Sequence, residues 1–235
     1  MPPRLPLFPL GTVLFPGLVL PLHIFEERYR ELVRHLISLP DDAPREFGVV
    51  AIRRGWEVRL GGTDVDGEAT PAAEVTLHEV GCTAEVRQVT EHPDGRFDLV
   101  TVGRRRFRIA HVEEDATPYL TAEVQWLPEP AGDEDAADLL APRVLALFRD
   151  YLALLSTAVQ EVGEQLPDDP TVLSHLVAAT AALTLEDRQR LLAEEDTAGR
   201  LRAELRLLSR EAALLRRVRA VPVPLSELAV AASPN

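Results

Sequence analysis

The amino-acid sequence predicts an α+β protein: a β-rich sandwich or distorted barrel with one amphipathic helix, followed by a helical bundle that ends in a long helix. Two observations predict this order. Short β-prone segments bounded by Pro and Gly, without βαβ alternation, occupy the first half of the chain. Beyond residues 127–138, which are rich in Pro, Gly and acidic residues, the apolar pattern is helical. We expect a β-rich part over 1–128, a helical part over 129–221 and a flexible tail over 222–235.

The β-rich part is predicted from apolar runs and the turns between them. From His23 to Leu39, apolar residues recur at steps of three and four, which indicates an amphipathic helix that ends at Pro40. The sequence Pro93-Asp94-Gly95 predicts a turn between two strands, and Gly103 predicts a bulge in the second of them. The predicted strands are Leu5–Phe8, Leu18–Leu20, Phe47–Arg53, Cys82–Thr90, Arg96–Ile109 and Tyr119–Leu127.

The helical part is predicted from periodicity and capping residues. Leu139–Val162 forms a first helix, and Asp169, Thr184 and Asp196 are the predicted N-caps of three more, the first of which runs to about Leu183. Four leucines of the last helix form a narrow apolar seam suited to helix–helix packing: Leu201, Leu205, Leu208 and Leu215. This seam either closes the bundle of its own chain, which we favour, or pairs with a second copy.

The composition excludes several kinds of enzyme. The chain has a formal net charge of −13, and all 25 basic residues are Arg. Without Lys it has no phosphate-binding loop of the Walker type, no serine–lysine dyad and no Schiff base. The lone cysteine, Cys82, forms no internal disulfide and offers no thiolate cluster to a metal. We predict no catalytic residue, no cofactor and no metal site.

The uncharged stretch from Leu5 to Leu22 has the length of a membrane span. Four prolines and two glycines interrupt it, and each interior proline costs a helix about 3 kcal/mol. The stretch also lacks the helical apolar core and the small-residue cleavage site of a signal peptide. We therefore expect these residues to fold into the body of a cytoplasmic protein without membrane contact.

Residue types that often carry chemistry are scattered along the chain. The six histidines show neither an HExxH pair nor Cys/His spacing suited to zinc. His175 lies in an apolar helix and His23 at the predicted start of the first helix, so we expect structural roles for both. Cys82 lies in a predicted strand, where a buried and inert thiol is expected. No serine lies in a GxSxG elbow.

Clustered arginines raise the alternative of nucleic-acid binding. One strand carries Arg104, Arg105, Arg106 and Arg108, and residues 200–219 hold seven arginines against two glutamates. The rest of the chain is acidic enough to repel a polyanion, and aromatic residues make up only 5%, which leaves few stacking platforms. A solvated face or an acidic partner is therefore favoured over nucleic acid.

The turn from Val13 to Leu18 places bulky apolar residues on an irregular segment. Pro16 and Gly17 keep it out of regular structure, and loops usually lie at the surface. Val13, Phe15 and Leu18 therefore either form an exposed peptide-binding patch or plug the end of the barrel, and the residues leave both alternatives open. The first alternative predicts that Phe15→Asp weakens binding of unfolded protein without unfolding this chain.

Several segments are specific enough to indicate a family. They are LPLFPL (5–10), VLFPG (13–17), LPLHIFEERY (20–29), FGVV (47–50), EVGCTA (79–84), VGRRRFRI (102–109) and LEDRQRLL (185–192). They resemble the N-terminal, substrate-binding domain of Lon proteases, and the likeness covers about residues 4 to 219. The resemblance implies a β-rich pseudo-barrel with one helix and then a helical bundle, in a stand-alone domain without the family's ATPase and peptidase.

The resemblance further implies a non-catalytic module for protein quality control. It would bind exposed hydrophobic segments of unfolded or client polypeptides and act with a protease or chaperone. The family's substrate surface is hydrophobic and shallow, and no signature assigns it to single positions. A structural or assembly module that pairs through the last helix is the alternative, and nucleic-acid binding ranks below both. We expect a monomer or a weak dimer.

Overall fold

The computed structural model describes residues 2–40, 43–54, 76–113, 117–155 and 166–218. The strands in these ranges are β1 (Arg4–Leu10), β2 (Val19–Ile24), β3 (Glu46–Arg54), β4 (Thr76–Leu77), β5 (Val80–Glu91), β6 (Phe97–Glu113) and β7 (Thr121–Trp126). The helices are α1 (Glu27–Ser38), α2 (Glu134–Leu155), α3 (Pro170–Thr180), α4 (Leu185–Ala193) and α5 (Thr197–Val218). The predicted α+β class and the order of its two parts are confirmed.

Five of the strands close into a small barrel. Neighbours along the sheet follow the order β1–β7–β6–β5–β3, and a parallel pairing of β1 with β3 joins its two ends. β2 lies beside the first half of β6, and β4 pairs with the end of β3. The apolar face of α1, with Tyr29, Leu32, Val33 and Leu36, packs into the core of the barrel. Closure leaves few unpaired strand edges, and those few are where another chain could add.

The first helix begins later than its sequence pattern predicts. β2 continues to Ile24, so His23 lies in a strand opposite Asp98 and not at the start of a helix. The hydrogen bonds of that strand to β6 hold residues 19–24 extended, and α1 begins only at Glu27. Phe25, which the periodicity assigns to the buried face, is 56% exposed.

The predicted capping residues are confirmed. Oδ1 of Asp169 accepts a hydrogen bond from the backbone N of Val172 at 2.9 Å, and Oδ1 of Asp196 accepts one from the N of Gly199 at 2.6 Å. Thr184 caps α4 in the same way. The helix α3 ends three residues earlier than predicted. Residues 156–162 of the first predicted helix and the tail 222–235 lie outside the described residues, and the boundary at residue 128 stays a prediction.

The apolar turn before β2 is held against β6 by backbone contacts. The N of Gly17 donates to the O of Gly103 at 2.8 Å, and the N of Gly103 donates to the O of Leu18 at 2.8 Å. A Cβ at position 103 would lie 2.1 Å from the carbonyl oxygen of Phe15, so only glycine fits this close approach. The register of β5 against β6 shifts at this point, between Cys82 and Ala84, where the sequence predicts a bulge.

The side chains of this turn are not an exposed patch. Val13 is 8% exposed and Phe15 is 1% exposed, while Leu18 is half-buried. The first two pack in one cluster with residues of the barrel and of the helical bundle, among them Val80 and Leu191. Of the two alternatives that the sequence leaves open, the exposed patch is therefore wrong for Val13 and Phe15, because the bundle covers the turn. Val13 and Phe15 pack between the barrel and the bundle.

We predict that Phe15→Ala lowers the free energy of unfolding by about 3–5 kcal/mol, since it removes a fully buried ring and leaves a cavity. Phe15→Asp also buries a charge, so it should destabilise the chain more than Phe15→Ala and prevent folding. An exposed turn would instead predict that this variant folds. Urea unfolding followed by circular dichroism measures the change for the alanine variant. Val19→Ala is the matched control: its side chain is 62% exposed, so its effect should stay within about 0.5 kcal/mol.

Candidate functional site

A buried arginine connects the barrel to the bundle. Arg106 in β6 is fully buried. Its Nη1 donates to the carbonyl oxygens of Leu192 at 2.7 Å and Glu194 at 2.5 Å, and its Nη2 donates to that of Pro128 at 2.9 Å. Its Nε donates to the carboxylate of Glu129. Leu192 and Glu194 lie at the C-terminus of α4, where backbone carbonyls lack intrahelical partners, so the guanidinium caps that helix.

Glu129 also lies close to a second arginine and a histidine, both from the bundle. Its Oε2 lies 3.4 Å from Nη2 of Arg200 and 3.3 Å from Nε2 of His175. Burial alone would raise the pKa of Glu129, but the neighbouring His175 and Arg106 outweigh it and lower that pKa to about 2. Burial lowers the pKa of His175 below its ordinary value. Glu129 itself is exposed, and both ring nitrogens of His175 lack a hydrogen-bond partner among the described residues. The pairing of the carboxylate with two buried arginines nevertheless indicates a structural role.

Replacement of Arg106 by Met is predicted to lower the free energy of unfolding by about 3–5 kcal/mol. The change removes the buried partner of an ion pair, leaves Glu129 with Arg200 alone, and leaves the end of α4 without its donor. Urea unfolding measures the loss. The control is Arg104→Met, which removes an exposed arginine paired with Glu85 at 2.7 Å. It should lower the free energy of unfolding by less than about 1 kcal/mol. Equal losses in the two variants would contradict the structural role.

One buried carboxyl group of the bundle lacks hydrogen-bond partners among the described residues. Glu204 in α5 is buried, and neither of its carboxylate oxygens has a hydrogen-bond partner among the described residues. Burial raises its pKa well above the ordinary value, although the nearby charge of Arg200 acts in the opposite direction. A carboxyl group of this kind is protonated in the folded chain and ionises more easily in the unfolded chain. It therefore lowers stability as the pH rises above the unfolded pKa.

We predict that Glu204→Gln is more stable than the original chain at pH 8, because the amide cannot ionise. The difference should shrink as the pH falls toward the ordinary carboxyl pKa, where Glu204 is protonated in both states. Urea unfolding at pH 5 and pH 8 tests the sign. Glu195→Gln, at an exposed position, serves as the control and should show little change at either pH. A stability gain at pH 5 as large as that at pH 8 would refute this account.

The remaining arginines of β6 are exposed and already paired. Nε of Arg104 lies 2.7 Å from Glu85, and Nη2 of Arg105 lies 2.5 Å from Glu46. Within the described residues, carboxylates thus compensate much of this basic strand, which agrees with the preference for a solvated face over nucleic acid. The thiol of Cys82 is buried, and burial raises its pKa, so it stays protonated.

The leucine seam of α5 is used inside the chain. Leu201 and Leu208 are buried in the cluster formed with α2 and α3, and Leu205 and Leu215 pack against the same cluster. The seam therefore closes the bundle, which is the alternative that the sequence analysis favours. Pairing with a second copy through these leucines has no support in the described residues, because their apolar surface is already covered.

An open groove lined by apolar and polar groups lies between α1 and β5, with a volume of about 380 Å³. Its apolar lining consists of Val33, Leu36, Ile37, Val86, Val89 and Leu99. Ile37, at the rim, is 43% exposed, whereas Val33, Leu36 and Leu99 form a buried floor. Arg45, Arg87, Gln88 and Glu91 add polar groups along the side. The sequence analysis missed this groove, because α1 and β5 are far apart in the chain.

One wall of the α1–β5 groove is an unpaired strand edge. β3 pairs with β5 only from Glu46–Glu85 to Val49–Cys82. Over residues 86–91, β5 has β6 on one side and no described strand on the other. The main link there is the backbone N of Val86, which donates to the O of Arg45 at 2.9 Å. Such an edge can pair with an extended segment of another chain.

The barrel followed by a helical bundle is the fold of a known class of domain. The chain belongs to the family described as the ATP-dependent protease La (LON) substrate-binding domain, whose family model matches residues 4–210. It is similar to Lon protease 2 of Myxococcus xanthus, with 28% identity over 92% of this chain and 24% of that protein. It is also similar to the Lon protease of Escherichia coli K12, with 26% identity over 90% of this chain and 25% of that protein.

Solved structures agree on the fold. The N-terminal domain of the Mycobacterium avium complex Lon protease has a TM-score of 0.62 at 20% identity, and covers 88% of this chain and 98% of its own. A Lon N-terminal domain protein from Xanthomonas campestris has a TM-score of 0.55 at 24% identity, with the same coverage. The chain spans about a quarter of the length of the curated relatives it matches, and the matched part is the substrate-binding domain. Within the described residues, no helix combines the length and apolarity needed to cross a membrane.

Proposed function

We propose that this chain is a non-catalytic recognition module that binds exposed hydrophobic segments of unfolded or client polypeptides in the α1–β5 groove. The observation that carries the proposal is the combination, in one place, of an apolar floor and an unpaired strand edge. The family supports it, since its model describes a substrate-binding domain. Val13 and Phe15 have no place in this surface, because both are buried.

The groove suits an extended segment that adds to the sheet beside residues 86–91. Hydrogen bonds from the client's backbone to the edge of β5 do not depend on the client's sequence. Alternate side chains of the added strand would point toward the apolar lining around Leu36, Ile37 and Val89. This mode selects for exposed apolar character and an extended backbone, which are features of an unfolded chain.

The expected affinity is weak. Burial of two or three Leu- or Phe-sized side chains contributes about 3–9 kcal/mol. Ordering the captured segment costs about 2–5 kcal/mol. The remainder corresponds to dissociation constants on the order of micromolar to millimolar. Weak and broad binding suits a module that samples many clients.

We further propose that this chain has no catalytic activity. The thiol of Cys82 is buried and protonated, and the cluster around Glu129 is occupied by its own arginines. A protease or chaperone partner, a cytoplasmic location and a monomeric or weakly dimeric state stay predictions.

Ile37→Asp is predicted to weaken binding about tenfold or more, because it places a charge at the apolar rim of the groove. The measurement is fluorescence anisotropy with a labelled, reduced and carboxymethylated α-lactalbumin, an unfolded polypeptide, titrated with the full chain. Val19→Asp is the matched control: it changes an exposed apolar side chain of β2, 62% exposed against 43% for Ile37, that lies outside the groove, and should leave the affinity unchanged.

Unfolding temperatures of both variants confirm that the comparison is between folded proteins. Absence of binding by the original chain at millimolar concentration would overturn the proposed function. Equal binding by the original chain and the Ile37→Asp variant would retain the function and overturn the groove as its site.

A further inference from the structure

Three side chains that the proposed function does not use converge on the outer face of the barrel. His23 lies in β2, Asp98 lies in β6, and His92 directly follows β5. The register of β2 against β6 pairs His23 with Asp98. Residues directly opposite in antiparallel strands have neighbouring side chains on the same face. Two imidazoles and one carboxylate are thus brought together from positions up to 75 residues apart.

The atoms of this cluster are arranged as ligands. Nδ1 of His23 lies 2.6 Å from Oδ1 of Asp98, and Nε2 of His92 lies 2.7 Å from Oδ2 of the same carboxylate. One ligand atom from each residue lies within 4.8 Å of the other two. Around zinc, ligand bonds of about 2.0–2.2 Å in a tetrahedral arrangement place such atoms about 3.4 Å apart. Binding of an ion would replace the two hydrogen bonds to Asp98 by bonds to the metal.

The backbone that carries the cluster is held in place. The N of Gly95 donates to the O of His92 at 2.9 Å, and the N of His92 donates to the O of Arg96 at 2.8 Å. Gly95 has a φ of 77°, which the turn requires. Nε of Arg30 in α1 donates to the O of Gly95 at 2.7 Å and ties the turn to the helix. The ligands therefore project from a fixed hairpin and its neighbouring strand.

The nearest cationic group does not exclude a metal ion. Nη1 of Arg96 lies 3.5 Å from Nε2 of His23, which is the nitrogen directed away from Asp98. The same guanidinium is paired with Asp94 at 2.6 Å, so a carboxylate compensates its charge. All three ligand side chains are at least partly exposed, so an ion can reach them from solvent.

We propose that His23, His92 and Asp98 form a binding site for a divalent transition-metal ion, with Zn²⁺ as its typical occupant. Two imidazoles and a carboxylate match the ligand preference of zinc and its neighbours, whereas Mg²⁺ and Ca²⁺ require more oxygen ligands. Three protein ligands leave at least one coordination position for water or for a group of another molecule. The site departs from the sequence analysis, which predicts no metal ligands because the spacing of these residues matches no motif.

The test uses the full chain without an affinity tag, freed of metal by a chelator. Isothermal titration with Zn²⁺ is expected to show one site per chain with a micromolar dissociation constant, and titration with Mg²⁺ no binding. Co²⁺ should give the visible absorption of a coordinated ion. His23→Ala and His92→Ala should each weaken Zn²⁺ binding at least tenfold. His35→Ala, at an exposed position on α1, is the control and should bind like the original chain.

The three variants change exposed or half-buried side chains, and circular dichroism without metal checks that they fold. The proposal is overturned if the original chain binds no Zn²⁺ at high micromolar protein concentration. It is also overturned if either ligand variant binds as tightly as the original chain, or if His35→Ala loses the site. Failure of the metal site would leave the proposed polypeptide binding untouched, because His23, His92 and Asp98 do not line the α1–β5 groove.

Discussion

The burial of one guanidinium group, that of Arg106, is the constraint on which the arrangement of barrel and bundle depends. Its removal from water is costly unless all of its donors find acceptors. The acceptors come from the segment after β7 and from the C-terminal turn of α4, through Pro128, Leu192 and Glu194, while Glu129 supplies the opposite charge. These groups meet in one orientation of the bundle, so the interaction selects that orientation. The apolar contacts around Arg106 add stability, but they constrain the orientation of the bundle less than the directional hydrogen bonds do.

The same orientation decides which apolar residues remain at the surface. Once α3, α4 and α5 dock, the bundle covers Val13 and Phe15, and Gly103 allows the turn that bears them to lie against β6. Apolar surface is left in the α1–β5 groove, because β3 begins only at Glu46, opposite Glu85, and residues 86–91 of β5 have no described strand on that side. Among the described residues, this edge lies beside apolar side chains, so a strand that adds here can also bury apolar groups. This is why the proposed capture of polypeptides is assigned to the groove and not to the apolar turn.

Local physical rules explain most of what could be predicted from the sequence. The caps at Asp169 and Thr184, the bulge at Gly103 and most of the strands follow from backbone preferences and short-range hydrogen bonds, and the sequence predicts them. The sequence does not predict β4, and β2 extends to Ile24, beyond the predicted Leu18–Leu20. The start of α1 was placed too early, because periodicity does not register that β6 holds His23 in a strand. The exposure of Phe15 was uncertain for the same reason: it depends on helices that lie far away in the chain.

By itself, the sequence determined the α+β class, the order of barrel and bundle, the exclusion of lysine chemistry and the family. Each of these depends on composition, on periods of two or 3.6 residues, or on contiguous motifs. Only the tertiary structure decided that Phe15 is buried, that the leucine seam closes its own bundle, that α1 and β5 form a groove, and that His23 and His92 share one carboxylate. These features arise from contacts between residues distant in the chain. A pattern read along a single chain carries no information about which distant surfaces will cover one another.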